Sequence, residues 1–383
     1  MVGRGAGAVG CAHCKVIGAD SSCQVCTRLV CPRCAADWAT CDEPSGRVVR
    51  LGLTARVRDI DPLGRLALVS HWRQPLRLFD LRALAWIPNV RWERTLHLIW
   101  RKAPPRLTAG GRLVHGEYHF DAERGAPIFS GIRMRRLDRD SGPLLASAGI
   151  EHGTAVTATK DIFYYVTDTQ QVAVLQPDAK HAVATIVEPL PRKVIHSVYI
   201  DAERELLAAG SWSEVVLHRL VDGRLEKQSH LKTTIHGDVR WLAIGGPYIA
   251  LAIQLFGAGV HVEVRRLERD QSIGDVVHEH TLPRLRTASM SRDGRYIALA
   301  TDRGLLVQAL DTGDTTVFDE HTDEINLVRF AGDDQVLISA DTDHRVVMRP
   351  RTPKGYARPL ISIAIPSTGV PLPEPPDPAL TRG

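Results

Sequence analysis

The chain of 383 residues is expected to be all-β: a β-propeller of seven units, preceded by a small zinc-binding module. Three observations predict this. A phrase of apolar strands separated by polar turns recurs through residues 47–353. Its copies are spaced in multiples of about 40–46 residues, the length of one four-stranded propeller blade. All seven cysteines fall between Cys11 and Cys41, so one local chemistry uses them all. The hydrophobic share of 44% and charged share of 24% belong to an ordinary globular chain and exclude wholesale disorder.

Residues 1–10 (MVGRGAGAVG) have neither the apolar run of a secretory signal nor a strand before the Gly5–Gly10 match to G-x-G-x-x-G. They read as a flexible terminus, and the chain as cytoplasmic. Residues 11–44 form the cysteine-rich module. Its order is Cys11-x2-Cys14, Cys23-x2-Cys26, Cys31-x2-Cys34 and Cys41. A Cys-x2-Cys turn aims two thiolates at one metal, and two such turns complete a tetrahedral zinc site. The segment is too short to bury a core, so metal affinity would supply its folding energy. Disulfides would need an oxidising compartment and would leave one thiol over. Iron–sulfur ligation uses other spacings, and thiol–disulfide catalysis one pair rather than three.

The spacing resembles a B-box-type finger of the RING-like, cross-braced class. That resemblance implies that Cys11, Cys14, Cys31 and Cys34 hold one zinc ion and that Cys23, Cys26 and Cys41 hold another. The eighth ligand would be Asp37 or Asp42. Asp37 is favoured because Asp37-x3-Cys41 stands where the family has its closing, usually His-rich, pair. One or two ions are expected; His13 is read as solvent-facing or as a support to the ligands. The stretch SSCQVCTRLVCPRC also resembles the centre of FYVE-type fingers. Ala19-Asp20-Ser21-Ser22 replaces their basic run, so lipid binding does not carry over. The Cys-x-His of RING-type ubiquitin ligases is absent.

From residue 47 the repeats begin. Aligning the turns of four copies puts Gly64, Glu203, Asp293 and Asp333 in register, with gaps of 139, 90 and 40 residues. These divide into three, two and one units, and weaker copies fill the intervals. The pattern resembles the WD40 class, with Phe79-Asp80, and His321 with Asp343, echoing its Trp-Asp and Gly-His/Asp positions. In that family the last blade takes one strand from the other end of the chain. Arg47–Val57 is the candidate for this clasp.

Trp72, Trp212 and Trp241 read as blade-packing groups. The irregular stretch 83–112, with Trp86, Trp92, Trp100 and Arg91, Arg94, Arg101, Lys102 and Arg106, reads as a divergent strand plus a solvated loop, or else as an insertion for partner contact. Arg133–Arg136 and Arg265-Arg266 read as exposed strand faces. Residues 354–383 read as an extended, Pro-rich tail, because proline cannot donate to a ladder.

No catalytic or cofactor-binding residue emerges: Walker, G-x-S-x-G and H-E-x-x-H patterns are missing. His278-Glu279-His280 puts two imidazoles on one strand face, a weak metal pair. The expected function is a non-enzymatic scaffold for protein partners, an assembly role that the WD40 and B-box resemblances imply. The forty Arg against eight Lys suggest a bacterial, GC-rich genome, and hence a multi-protein stress or defence system. Two other readings are a nucleic-acid binder using the zinc module and an Arg-rich surface, and an enzyme with its site in the propeller channel. A formal charge of +4 speaks against the first. Membrane and small-molecule partners are not expected.

Overall fold

A computed structural model of the chain describes residues 21–22, 29–30, 46–51, 55–70, 77–82, 84–87, 106–107, 112–121, 126–136, 156–158, 163–166, 172–175, 195–201, 204–221, 224–257, 259–302 and 304–364. These residues are strands, turns and short connections, with no helix among them. The cysteines, Asp37, Asp42 and residues 365–383 lie outside them.

Strands β1 (Ser21–Ser22) and β2 (Leu29–Val30) pair antiparallel, and β3 (Gly46–Arg50) precedes the repeats. The first sheet is β4 (Arg56–Ile60), β5 (Leu66–Ser70), β6 (Arg77–Asp80) and β7 (Ala85–Trp86). The second is β8 (Arg106–Leu107), β9 (Arg112–Asp121) and β10 (Ala126–Arg136), and the third β11 (Val156–Ala158), β12 (Phe163–Val166) and β13 (Val172–Leu175). The fourth sheet is β14 (Ser197–Asp201), β15 (Leu206–Ser211), β16 (Glu214–Val221) and β17 (Arg224–Lys232). The fifth is β18 (Asp238–Gly245), β19 (Tyr248–Leu255), β20 (Gly259–Leu267) and β21 (Ile273–Leu282). The sixth is β22 (Thr287–Met290), β23 (Tyr296–Thr301), β24 (Gly304–Ala309) and β25 (Thr315–Phe318). The last sheet contains β26 (Ile325–Ala331), β27 (Val336–Asp341) and β28 (Arg345–Thr352), with β29 (Gly355–Tyr356) and β30 (Pro359–Ala364).

Each sheet is packed between neighbours, which explains the strand texts. A strand covered on both faces carries a continuous apolar run, not an alternating one. Thus β19 (YIALAIQL) and β27 (VLISAD) are buried nearly throughout, whereas the outermost β21 of the fifth sheet has no buried residue. The first strands touch in chain order, β4 to β8, β11, β14, β18, β22 and β26, and β26 returns to β4. The row is a closed ring.

Closure uses the two ends of the repeat region. β3 pairs antiparallel with β28, from Arg345 opposite Arg50 to Met348 opposite Arg47. This bears out the clasp, within its first residues. Val49, fully buried, packs with Val346, Met348 and Ile338 of the last sheet and with Val57 of the first. β30 then runs parallel to β3 along its other side, covering an edge that would otherwise remain open. The Pro-rich tail therefore does not start at residue 354. Pro359 opens a strand, a position that needs no amide donor.

Hydrogen bonds between the first turns of successive sheets reinforce the ring on one face. Arg204 donates to the Gly246 carbonyl, and the Gly246 amide donates to Arg292 O at 2.8 Å. The amides of Arg292 and Asp293 both donate to the Asp334 carboxylate at 2.9 Å, and the Gly332 amide donates to Pro62 O at 3.0 Å. Buried Asp59 accepts the Leu107 amide at 2.7 Å and pairs with Arg106 and Arg329. Glycine is needed where turns meet this closely. Gly294 has φ +71°, and a Cβ there would strike the Gly245 carbonyl.

One third-strand position faces the preceding sheet each time, opposite the second residue of the second strand. It holds Phe79, His218, Arg265, Gln308 and Arg349 in the first, fourth, fifth, sixth and last sheets. Phe79 is an apolar plug; Arg349, also fully buried, needs partners. Its guanidinium donates to Ser339 Oγ at 2.8 Å and to Glu320 at 2.7 Å, and stacks on Phe318 at 4.7 Å. Ser339 Oγ also lies 2.7 Å from His321 Nε2, and His321 Nδ1 lies 2.9 Å from Asp341. The partner of His321 is thus Asp341, on the strand end, and not Asp343, which accepts from Thr322 at 3.1 Å. Removing one member of a buried ion pair leaves the other uncompensated and costs about 3–5 kcal/mol. Arg349→Ala should show such a loss in urea denaturation. Arg349→Met combined with Glu320→Gln should lose clearly less, and equal losses would rule out Glu320 as the energetic partner.

Candidate interaction face

The antiparallel order within each sheet places the described second-to-third-strand turns, and the described connections between sheets, on the face opposite the chained first turns. Two of these turns carry large exposed aromatics. Trp212 occupies the turn between β15 and β16, and Phe256 the turn between β19 and β20; they are 39% and 76% exposed. Their ring centroids are 4.9 Å apart with a 40° tilt. Among the described residues, only Val276 and Val317 are other large hydrophobics so exposed.

The backbone beneath this pair is fixed. Ser213 donates its amide to Gly237 O at 2.8 Å and accepts from the Thr233 amide at 2.9 Å, while its hydroxyl accepts from the Gly237 amide at 3.1 Å. Trp212 bridges to Asp238, whose carboxylate is taken by His196 at 3.1 Å and by Arg240. Gly257 and Gly259, at φ +69° and +102°, allow the Phe256 turn, and Gln254 Nε2 donates across it to Gly259 O at 3.0 Å. Exposed Lys232 and His236 lie on the strand end and connection beside Trp212. Aromatic side chains held on a rigid base are the usual anchors of protein recognition.

No family model and no curated protein matches the chain. Its architecture is similar to that of the β-propeller domain of Myceliophteria thermophila Cps50 (Swd1). The TM-score is 0.57 at 11% identity, over 80% of this chain and 100% of that domain. The fold is a β-propeller.

Within this propeller, Trp212 is an exposed turn residue and not the packing group its neighbourhood suggests. Trp241 does pack, half-buried, between the fifth and sixth blades. Trp86 belongs to β7, where it meets Phe79 edge-on at 5.2 Å and carries Arg77 on its face at 4.4 Å. Trp72, Trp92, Trp100, Arg91, Arg94, Arg101 and Lys102 lie outside the described residues. Arg265 is not on an exposed face: it is largely buried, donating to Glu263 at 2.7 Å and to Gly274 O at 3.2 Å.

His278 and His280 share a face, but they clamp two blades and do not converge on a metal. His278 Nε2 lies 2.8 Å from Leu310 O, and His280 Nε2 lies 2.8 Å from Gln308 Oε1. Among the described residues, no group of three or more His, Cys, Asp or Glu could hold a metal ion. The predicted ligands Cys11, Cys14, Cys23, Cys26, Cys31, Cys34, Cys41 and Asp37 lie outside that set. Also among the described residues, no helix is long and apolar enough to cross a membrane.

His218 occupies the polar third-strand position of the fourth blade with neither ring nitrogen hydrogen-bonded among the described residues. Burial, helped by Lys227 opposite it, pushes its pKa down to about 4. Between that value and about 6.5 the unfolded chain binds a proton that the folded chain refuses, so stability falls as pH drops through this window, by at most about 1.4 kcal/mol per unit. Asp61 and Asp334, raised chiefly by burial, act in the opposite sense and are common to both proteins in the comparison. His218→Leu should therefore lose less melting temperature than the wild type between pH 7.5 and pH 5. Identical losses would show that this imidazole is not held neutral.

Proposed function

We propose that the chain is a non-enzymatic, protein-binding scaffold: a seven-bladed, WD40-like propeller with an N-terminal zinc module as a second docking surface. The observation that carries this reading is the exposed Trp212–Phe256 pair on a hydrogen-bonded base. An aromatic pair left in water at a rigid site gains most from a partner that covers it. Blade closure supports it, because the ring is stable without the loop face, whose side chains are then free for recognition. The sheets whose first strands meet in sequence support the blade number.

For the zinc module, the donor set supports the reading. Seven thiols with one carboxylate make two tetrahedral sites, held by Cys11, Cys14, Cys31 and Cys34, and by Cys23, Cys26, Cys41 and Asp37. The β1–β2 pair brackets residues 23–28, so Cys23 and Cys26 fall between paired strands, with Cys31 directly after β2. That is where a metal-binding turn belongs. Bound zinc would serve structurally, replacing the core that the segment lacks. With β3 beginning at Gly46, only a short connection separates this module from the clasp strand. A bacterial cytoplasmic multi-protein system is the setting we propose.

The test is affinity purification from source cells of the wild type, Trp212→Ala/Phe256→Ala, and Cys11→Ser/Cys14→Ser, with zinc measured in each. The aromatic variant should lose a partner that the wild type retains while keeping two zinc ions per chain. The cysteine variant should lose zinc. A partner set unchanged by the aromatic substitutions would refute the loop face as the docking surface, and wild-type protein without zinc would refute the module.

A further inference from the structure

The end of the described chain is delivered to the same face as the aromatic pair. β28 starts from the turn at Asp341–Arg345, which belongs to the loop face. β3 runs antiparallel to β28 and ends there, with the Leu51 amide donating to His344 O at 3.0 Å. β30 is parallel to β3, with Ala364 opposite Arg50. Residues 365–383 therefore leave the ring on the Trp212–Phe256 side. They contain Pro371-Leu372-Pro373-Glu374-Pro375-Pro376-Asp377-Pro378.

Such a run favours the polyproline II helix, which loses little entropy on docking and is recognised by grooves of exposed aromatic rings. Trp212 and Phe256 are such a surface. The acids on this patch, Asp238 and Glu214, face His196 and Arg240, and His230, respectively. Exposed Lys232 and His236 would face Glu374 and Asp377. Length permits the contact. At about 3.1 Å per residue, residue 371 lies within roughly 22 Å of the end of β30 and residue 378 within roughly 43 Å. With strands about 4.8 Å apart, two four-stranded blade widths come to about 30–40 Å. The far end of the segment, Glu374–Pro378, is therefore the part that reaches the pair.

We propose that the segment 371–378 docks through its far end on the Trp212–Phe256 pair of its own chain and acts as an intramolecular competitor for the partner. The inference rests on reading this face as a docking surface. It adds regulation: a partner must displace the proline segment, so its apparent affinity falls by the fraction of chains in which the site is covered.

The test uses the full chain with p-benzoylphenylalanine at position 256, an aromatic replacement at an exposed turn, and a second protein with the same probe at Val276 on the outer strand of the fifth blade. After irradiation, peptide mapping of a mixture of isotopically light and heavy protein should show cross-links from position 256 to residues 371–378. These should occur within single chains, with none from position 276. Glu374→Lys/Asp377→Lys should reduce the yield severalfold. Cross-links joining light to heavy chains would overturn the intramolecular contact and make a second copy the occupant. Absence of any cross-link to the proline segment would overturn the docking itself. In that case the partner reading is still decided separately, by the purification with Trp212→Ala/Phe256→Ala.

Discussion

The pairing of β3 with β28 is the constraint on which the rest of the molecule depends. It joins residues 47–50 to residues 345–348, so nearly the whole repeat region is one closed loop. By simple loop-closure scaling, bringing together ends about 300 residues apart costs about 5 kcal/mol. Four ladder pairs alone would not offset that cost. The burial of Val49 and Leu51 between the last and first blades adds about 1.5–3 kcal/mol for each side chain. The chained first turns then link the blades edge by edge, so that opening one interface strains the next. Covering β3 with β30 makes the clasp an interior strand, and an interior strand does not fray at its edge.

The same closure explains what the sequence revealed and what it hid. Strand spacing was legible because both faces of each blade are buried, which forces apolar runs at a constant period. The turn alignment through Gly64, Asp293 and Asp333 holds, since positive φ at or beside each position marks a first turn. The family's short motifs were faint for a physical reason. In the first, fourth, fifth, sixth and last sheets, the third-strand plug is apolar only as Phe79; elsewhere it is Arg265, Gln308 or Arg349, each with a polar partner, or His218, which has none among the described residues. Periodicity cannot distinguish a buried Arg349 paired with Glu320 from a solvated arginine, and Arg265 was misread on those grounds. The Asp343 assignment failed similarly, because only the fold shows that Asp341 faces the His321 imidazole.

The loop face was the least legible part. Trp212 lies between two strands, and nothing local distinguishes a tryptophan that turns inward from one held out by Ser213 and Gly237. Phe256 is marked in the sequence only by the glycines that follow it. These two rings come together because neighbouring blades bring corresponding turns side by side, a relation between residues 44 apart. The face on which β30 ends is legible only in the fold, where its parallel course beside β3 brings Ala364 opposite Arg50. A rigid ring and an anchored aromatic pair on one of its faces are what the fold supplies to the proposed docking role.

Hydrogen exchange followed by mass spectrometry tests the closed ring most directly. If β3 is an interior strand, peptides covering residues 46–50 exchange only with global unfolding, as slowly as those covering β19 and β27. Exchange of residues 46–50 within seconds, while β19 and β27 stay protected, would mean that the ring is held by something other than this strand.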